Sequence, residues 1–182
     1  MRLISSAAAL VAALIACSAN PPSPVEAVPF ITSPENVTLE MLRIADVQAG
    51  DHMIDLGSGD GRIVVLAANR FGATRLGVEI DPDLVRRSIA SARAAEVAEV
   101  AGRVGFRVED LFTTDLSRAD VVTIYLLPEL NLRPKSSLLA LKPGTSIVWH
   151  DRDLGDWQPD LTRRVDVPHK QVGRGEFSRI HL

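Results

Sequence analysis

The sequence predicts one α/β domain, a three-layer sandwich in which helices cover both faces of a mostly parallel sheet. Strand-like and helix-like segments alternate along the chain, and this alternation is typical of parallel strands joined by crossover helices. A length of 182 residues fits one domain, and 46% hydrophobic residues are enough to form a core. We expect five parallel strands with the first in the middle of the sheet: His52–Leu56, Thr74–Ile80, Val104–Val108, Asp120–Leu126 and Ser146–His150.

Helix signals lie between these strands. Asp81-Pro82-Asp83 combines an N-cap residue, a first-turn proline and an acidic first turn, and it predicts a helix that runs to about Ala98. Other helices are predicted at Asn36–Val47, from Arg62 to Arg70, and from Pro134 to about Leu141. Two final antiparallel strands are predicted at Arg163–Val167 and Arg179–Leu182.

A glycine-rich turn follows the first strand, in the run Asp55-Leu56-Gly57-Ser58-Gly59-Asp60-Gly61-Arg62. Three glycines at alternate positions remove Cβ atoms that would keep a ligand from the backbone. The turn should also present amide N–H groups near a helix N-terminus. Glu79 ends the next strand, where a carboxylate can accept hydrogen bonds from ribose hydroxyls. The pattern predicts a pocket for a nucleoside with a polar tail.

The spacing of the glycines and the acidic residue before them favour one class of nucleoside. A dinucleotide site has the pattern G-x-G-x-x-G, whereas here the pattern is G-x-G-x-G and Arg62 stands at the third glycine position. The Asp55 carboxylate would repel a pyrophosphate but attract the ammonium of an amino-acid tail. The sequence therefore predicts S-adenosylmethionine rather than NAD, bound by Asp55, Gly57, Ser58, Gly59, Gly61 and Glu79.

Adenine is expected beyond the second and third strands. Asp110 is placed to accept a hydrogen bond from the adenine amino group, while Ile80 and Leu111 grip the ring. Asp110 could equally cap a short helix at Leu111–Thr114, and the two roles are compatible.

These motifs resemble those of the class I (Rossmann-like) methyltransferases. The wider run is similar to small lysine methyltransferases without a SET domain, including mitochondrial members, and to exported bacterial proteins of unknown substrate. The likeness covers about residues 28 to 160 and rests on Asp55–Arg62, on the stretch Val121–Glu129 and on Pro29–Pro34. The resemblance implies N-methylation of a protein lysine. A small-molecule acceptor, or a non-catalytic envelope lipoprotein that keeps the fold, are the alternatives.

Tyr125 and His150 are the candidates near the reacting methyl group. Tyr125 sits at the strand end that should face the sulfonium, and is the predicted catalytic residue, with plain packing as the alternative. His150 could serve as a general base or hold an acceptor amine. It could instead, with Asp151, satisfy loop amides while Trp149 lies in the core. A metal on His150, Asp151 and Asp153 is disfavoured, and no metal site is predicted.

The charge pattern bears on possible partners. The net charge is −3 and no long basic run is present, which argues against broad binding to the nucleic-acid backbone. The expected partner is therefore a protein substrate or a small molecule.

The N-terminal residues read as a targeting segment. Arg2 precedes fourteen uncharged residues, Leu3 to Ala16, which are too few to span a bilayer but suit a signal peptide. The run ends in Leu14-Ile15-Ala16-Cys17, which resembles a bacterial lipobox and implies lipidation of Cys17. We therefore expect a signal peptide over 1–17, a proline-rich linker over 18–29 and a domain over 30–182, held at the cell envelope. An ordinary secretory signal, or a mis-assigned start codon and a cytoplasmic protein, are the alternatives.

Overall fold

The computed structural model describes residues 31–95, 104–152, 154–170, 172–173 and 175–182. The predicted leader with Cys17, the linker, Asp153 and the predicted helix end near Ala98 lie outside the described residues. The domain boundaries in that part of the chain therefore stay predictions.

A seven-stranded sheet forms the centre of the described part, in the order β3-β2-β1-β4-β5-β7-β6. The strands are β1 His52–Leu56, β2 Thr74–Glu79, β3 Val104–Val108, β4 Val121–Ile124, β5 Ser146–His150, β6 Thr162–Asp166 and β7 Phe177–His181. The first five are parallel, and β7 runs antiparallel to both of its neighbours. This confirms the predicted fold class, the five parallel strands and the antiparallel end. One detail differs: β4 is the central strand and β1 lies next to it.

The helices cover the two faces unequally. They are α1 Glu35–Ile44, α2 Arg62–Phe71, α3 Pro82–Ala94, α4 Pro128–Asn131 and α5 Lys135–Leu139. On one face α1 and α2 pack over the sheet, and α3 packs beside α2 against β3. The other face is covered by α5 and by loop residues such as Leu116 and Leu154. The helix predicted from Pro134 is shorter than expected, and α4 was not predicted.

The helices in the described part are too short or too polar to cross a membrane.

Strand residues alternate between two cores, as the pleat requires. On β1, Met53 joins the core beneath α1 and α2, whereas Ile54 and Leu56 join the core on the opposite face. Trp149 belongs to this second core, as the alternative interpretation of that strand end expected, and is 2% exposed. The same alternation directs Asp55 toward the α1 and α2 face. Four buried polar residues therefore lie near one edge of the sheet on this face: Asp55, Thr123 and His150 close to the carboxyl ends of β1, β4 and β5, and Ser178 close to the amino end of the antiparallel β7.

Candidate functional site

The glycine turn joins β1 to α2, and three of its residues have a positive φ: 75° at Gly57, 55° at Gly59 and 77° at Gly61. Most backbone N–H groups of this turn donate hydrogen bonds to other groups of the protein. The N–H groups of Gly57 and Ser58 both donate to the carbonyl oxygen of Val78, at 2.9 Å each. The Gly59 amide donates to the Glu79 carboxylate, and that of Gly61 to the Ser58 carbonyl. The expectation of free N–H groups facing a ligand is thus wrong at these four positions, because the turn needs them to hold its own shape.

Gly61 has a packing role that the sequence reading did not foresee. A Cβ atom there would lie 2.6 Å from Cε1 of Phe106 and 2.7 Å from Cβ of Ser88. The missing side chain thus lets the start of α2 approach β3 and α3. Ser88 completes this contact, since its hydroxyl donates to the Gly59 carbonyl at 2.9 Å.

A cavity of about 680 Å³ opens beside the turn, at the carboxyl ends of the parallel strands. A volume of this size is typical of small-molecule sites. Eight of the predicted site residues line it: Gly57, Ser58, Gly59, Glu79, Ile80, Asp110, Leu111 and Tyr125. Asp55 and Gly61 do not line it; Asp55 lies buried behind the turn, and Gly61 faces α3.

The cavity also has walls that the site prediction missed. Ile31, Thr32 and Ser33 form one wall, and Phe112, Arg133 and Arg152 lie at another. The Pro29–Pro34 likeness was the available signal for the first wall. A second, more open cavity of about 590 Å³ shares Ser33 and the Asp60–Arg62 ion pair with this one.

Glu79 is held rigidly at the cavity wall. Its Oε2 accepts from the Gly59 amide at 2.9 Å, and its Oε1 accepts from the amides of Ile80 at 2.8 Å and Asp81 at 3.0 Å. These bonds fix the plane of the carboxylate, and its remaining lone pairs can accept from ligand hydroxyls.

Asp55 is a buried carboxyl group with one satisfied oxygen. Thr123 Oγ1 donates to its Oδ1 at 2.6 Å, whereas Oδ2 has no hydrogen-bond partner within the described ranges. Burial raises the pKa of Asp55 to about 7; the Thr123 bond opposes this rise, and the negative charges of Glu79 and Asp60 add to it. A cation reaching Oδ2 would favour the ionised form.

Asp110 is an exposed residue that lines the cavity and caps a turn. Its Oδ1 accepts from the Phe112 amide at 2.9 Å, and its carbonyl oxygen accepts from the Thr113 amide at 3.0 Å. The predicted capping bond is present, although residues 111–113 form a turn and not a helix. The exposed Asp110 carboxylate can also meet a ligand, so both predicted roles are compatible with its position.

Tyr125 lines the cavity, and its ring stacks on that of His150, with centroids 4.1 Å apart. The pKa of the Tyr125 hydroxyl is raised by its burial and by the charge of Asp151, with Arg152 acting in the opposite direction. The phenol therefore stays protonated at neutral pH and does not act as a base.

His150 is 1% exposed and both of its ring nitrogens have hydroxyl partners. Nδ1 lies 2.9 Å from Ser33 Oγ, and Nε2 lies 2.8 Å from Ser178 Oγ. The ring is absent from the cavity lining. The reading of His150 as a general base is thus wrong for this geometry, because the ring does not reach the space where an acceptor would lie. In the described part, no three His, Cys, Asp or Glu side chains form a metal cluster.

Comparison with known proteins gives concordant matches. The family described as "ANTKMT methyltransferase domain" matches residues 55–161. A protein-lysine N-methyltransferase of Saccharolobus islandicus is 39% identical over 142 residues, which are 76% of this chain and 86% of the relative. An adenine nucleotide translocase lysine N-methyltransferase of Mus musculus is 36% identical over 109 residues, which are 59% of this chain and only 46% of the mouse protein.

Among solved structures, an RNA methyltransferase from Salinibacter ruber in complex with S-adenosyl-L-homocysteine is similar. It is 45% identical, with a TM-score of 0.71, and the match covers 83% of this chain and 92% of that one. Its bound ligand is the demethylated product of S-adenosylmethionine, the nucleoside that the glycine turn and Glu79 predicted.

Proposed function

The chain belongs to the family of ANTKMT methyltransferase domains, and we propose that it transfers methyl groups from S-adenosylmethionine to lysine side chains of a protein. Methyl transfer from this donor follows from the family and confirms the activity and the cofactor that the sequence predicted. The lysine acceptor rests on the 39% identity to the protein-lysine N-methyltransferase, which extends over most of both chains.

The residues present suit this donor. A Cβ atom at Gly57 would lie 2.6 Å from Cδ2 of Leu126, which lines the same cavity, and Glu79 presents an oriented carboxylate to it. Among the described residues the buried Oδ2 of Asp55 has no hydrogen-bond partner, and in our proposal the ammonium of the methionine tail supplies one. In our proposal Gly57, Ser58 and Gly59 contact the ligand, Glu79 binds the ribose, Asp110 meets the adenine amino group, and Ile80 and Leu111 grip the ring.

S-adenosylmethionine supplies a methyl group already activated by a sulfonium, so the protein has little acid–base work to do. Its task is to align acceptor and donor and to exclude water. A lysine must also arrive as the neutral amine, which an apolar surrounding favours. Tyr125, Leu126, Leu127 and Leu130 form such an apolar wall, and we assign Tyr125 the central role in orienting the acceptor.

A protein acceptor is preferred over RNA on electrostatic grounds. The chain carries a net charge of −3. Among the described residues, four carboxylates line the cavity beside three arginines: Asp60, Glu79, Asp81, Asp110, Arg62, Arg133 and Arg152. One of the arginines, Arg62, is neutralised by Asp60. A backbone of phosphates would find little complementary charge here. RNA nevertheless has to be tested, because the Salinibacter ruber relative is described as an RNA methyltransferase.

The test is transfer of tritium from labelled S-adenosylmethionine to host lysate by the full chain. We expect label in protein that resists nuclease, is lost with protease, and is recovered as methyl-lysine after hydrolysis. Label that is lost with ribonuclease would contradict the proposal, and so would label confined to the small-molecule fraction. A Glu79→Ala variant, expected to bind the donor poorly, controls for methyltransferases already present in the lysate.

We also propose that the leader is used, so that Cys17 becomes a lipid-anchored N-terminus at the cell envelope. The support is the arrangement of Arg2, the apolar run and the lipobox-like Leu14–Cys17. Since S-adenosylmethionine is a cytosolic metabolite, this proposal requires a route by which the domain meets its donor. Mass spectrometry of the protein from its native host tests it: an acylated Cys17 with residues 1–16 missing supports it, and an intact unmodified N-terminus contradicts it.

A further inference from the structure

Residues 31–33, which form one wall of the cavity, are here called the cover. Ser33 holds the cover in place through two contacts, one made by its side chain and one by its backbone. Ile31 and Thr32 line the cavity, while Ser33 is 3% exposed. The Ser33 hydroxyl lies 2.9 Å from His150 Nδ1, across 117 positions of sequence. Its carbonyl oxygen accepts from Arg62 Nη1 at 3.3 Å. The cover is therefore tied to β5 through its side chain and to α2 through its backbone.

Arg62 is itself anchored to the glycine turn. Its Nε and Nη2 donate to the two carboxylate oxygens of Asp60, at 2.9 and 2.7 Å. This explains the Gly-Asp-Gly-Arg order: the residue between the last two glycines orients the first residue of α2 toward the cover. Arg62 thus connects the cover to the turn that borders the cavity.

His150 connects the same cover to Tyr125. The imidazole stacks on the Tyr125 ring and faces the Ser33 hydroxyl with Nδ1. On the far side Nε2 meets Ser178 Oγ at 2.8 Å, and Asp151 Oδ2 lies 3.3 Å from the same nitrogen. Asp151 is in turn held by Lys170 and by the amide of Arg179. One buried ring thus fixes two parts of the cavity wall that come from distant segments of the chain.

We propose that His150 is a positioning residue for methyl transfer, holding the cover closed over the donor and the Tyr125 ring at the acceptor end. This inference rests on the proposed function for the acceptor step but not for the donor step. Loss of the Ser33–His150 bond should open the cover and speed the escape of ligand. Loss of the stacked ring should leave Tyr125 free to adopt other rotamers, which lowers the rate of transfer.

Substitutions separate the two contacts. Ser33→Ala removes only the hydrogen bond between the cover and His150. His150→Phe keeps an aromatic ring beneath Tyr125 and removes the bond, whereas His150→Asn can keep a polar partner for Ser33 and removes the stack. Ser178→Ala is the matched control, because it removes a hydroxyl from the same imidazole on the side away from the cavity, where Asp151 remains as a partner.

The first readout is the dissociation rate of S-adenosylhomocysteine from the full chain, which needs no acceptor. We expect about a tenfold increase for Ser33→Ala and His150→Phe, the effect of one buried hydrogen bond, and less than about twofold for Ser178→Ala. The Ser33→Ala, His150→Phe double variant should be no faster than the single ones, because both remove the same bond. Equal rates for Ser33→Ala and Ser178→Ala would overturn the proposal.

The second readout is kcat for label transfer at saturating donor. His150→Asn should lower kcat at least about tenfold while leaving the donor KM within about threefold, whereas a merely structural role would lower the melting temperature and leave kcat intact. An unchanged kcat in a folded His150→Asn variant would overturn the proposal that His150 positions the Tyr125 ring for methyl transfer. If the wild type labels no protein, the lysine proposal fails, while the dissociation rates still decide the role of the cover.

Discussion

Asp55 and Thr123 face each other across β1 and β4, and the threonine hydroxyl lies 2.6 Å from the carboxyl oxygen Oδ1. Both side chains are buried, at 1% and 0% exposure. The pair places an ionisable group within the core, directly behind the glycine turn. Its other oxygen, Oδ2, is buried and has no hydrogen-bond partner among the described residues. Burial raises the pKa of this carboxyl group, so its charge is sensitive to pH near neutrality.

We predict that the ligand-free protein loses stability as Asp55 ionises. Burial raises the pKa of Asp55 to about 7 in the folded chain, above its value in the unfolded chain. The folded state therefore holds a proton that the unfolded state releases, and the free energy of unfolding falls as the pH rises from about 4 to about 7. The Asp55→Asn variant lacks the ionisable group, so its free energy of unfolding should rise relative to that of wild type as the pH rises from about 4 to about 7. At pH 8 the difference should have grown by ~2–4 kcal/mol.

Urea denaturation at pH 4.5, 6, 7 and 8 measures this difference. Asp160→Asn is the control, because that side chain is exposed and its loss should leave the pH profile parallel to that of wild type. If the Asp55→Asn curve were parallel as well, the carboxyl would not carry a raised pKa. The same variant should bind S-adenosylhomocysteine about tenfold more weakly at pH 7.5, since the neutral amide pairs poorly with an ammonium.

A second prediction concerns Glu79. Glu79→Ala removes the acceptor proposed for the ribose and releases the amide of Gly59. We expect affinity for S-adenosylhomocysteine to fall by ~1.5–3 kcal/mol, the usual value of hydrogen bonds to charged groups. Calorimetry measures the loss. Glu109→Ala, which removes a carboxylate just past the end of the neighbouring strand β3, should change affinity little; comparable losses in both variants would show a general electrostatic effect and not a ribose contact.

The sequence predicted the fold well because its signals were local and mutually consistent. His52–Leu56, Val104–Val108 and Ser146–His150 match the predicted strands residue for residue, and Asp81 caps α3 through a bond to the Asp83 amide as expected. The weak point was the second face of the sheet. The short helix α4 has only four residues, Pro128–Asn131, which are too few to show a helical periodicity, so it was not predicted.

Within the site, the positions of most cavity-lining residues could be predicted from the order of the strands. The hydrogen-bond partners of these residues could not be predicted. Strand ends placed Glu79, Asp110 and Tyr125 correctly at one edge, because parallel strands share that edge. No local pattern reveals that the amides of Gly57 and Ser58 bond to Val78. The sequence also could not show that Ser33 contacts His150, because that contact depends on how α1 packs over β5 and β7.

The third prediction tests the packing role of Gly61. Gly61→Ala forces a side chain into a positive φ and against Phe106 and Ser88, so we expect a loss of ~2–4 kcal/mol in unfolding free energy. Gly144→Ala is the matched control, because Gly144 also has a positive φ, of 87°, but no atom of the described residues lies within 4 Å of the added Cβ. It should lose only ~1–2 kcal/mol from backbone strain. Equal losses, measured by urea denaturation, would show that strain alone explains the glycine.

The last prediction separates the ring of Tyr125 from its hydroxyl. The hydroxyl makes no hydrogen bond among the contacts of the described residues, whereas the ring stacks on His150 and lines the cavity. The raised pKa also keeps the phenol protonated at neutral pH, so it cannot accept the proton of a lysine. We therefore expect Tyr125→Phe to keep kcat within about fivefold of wild type, and Tyr125→Ala to lower it at least about tenfold further. Single-turnover label transfer at saturating donor measures the chemical step directly. A large and equal loss in both variants would assign the hydroxyl a direct part in the transfer and would contradict a role limited to orienting the acceptor.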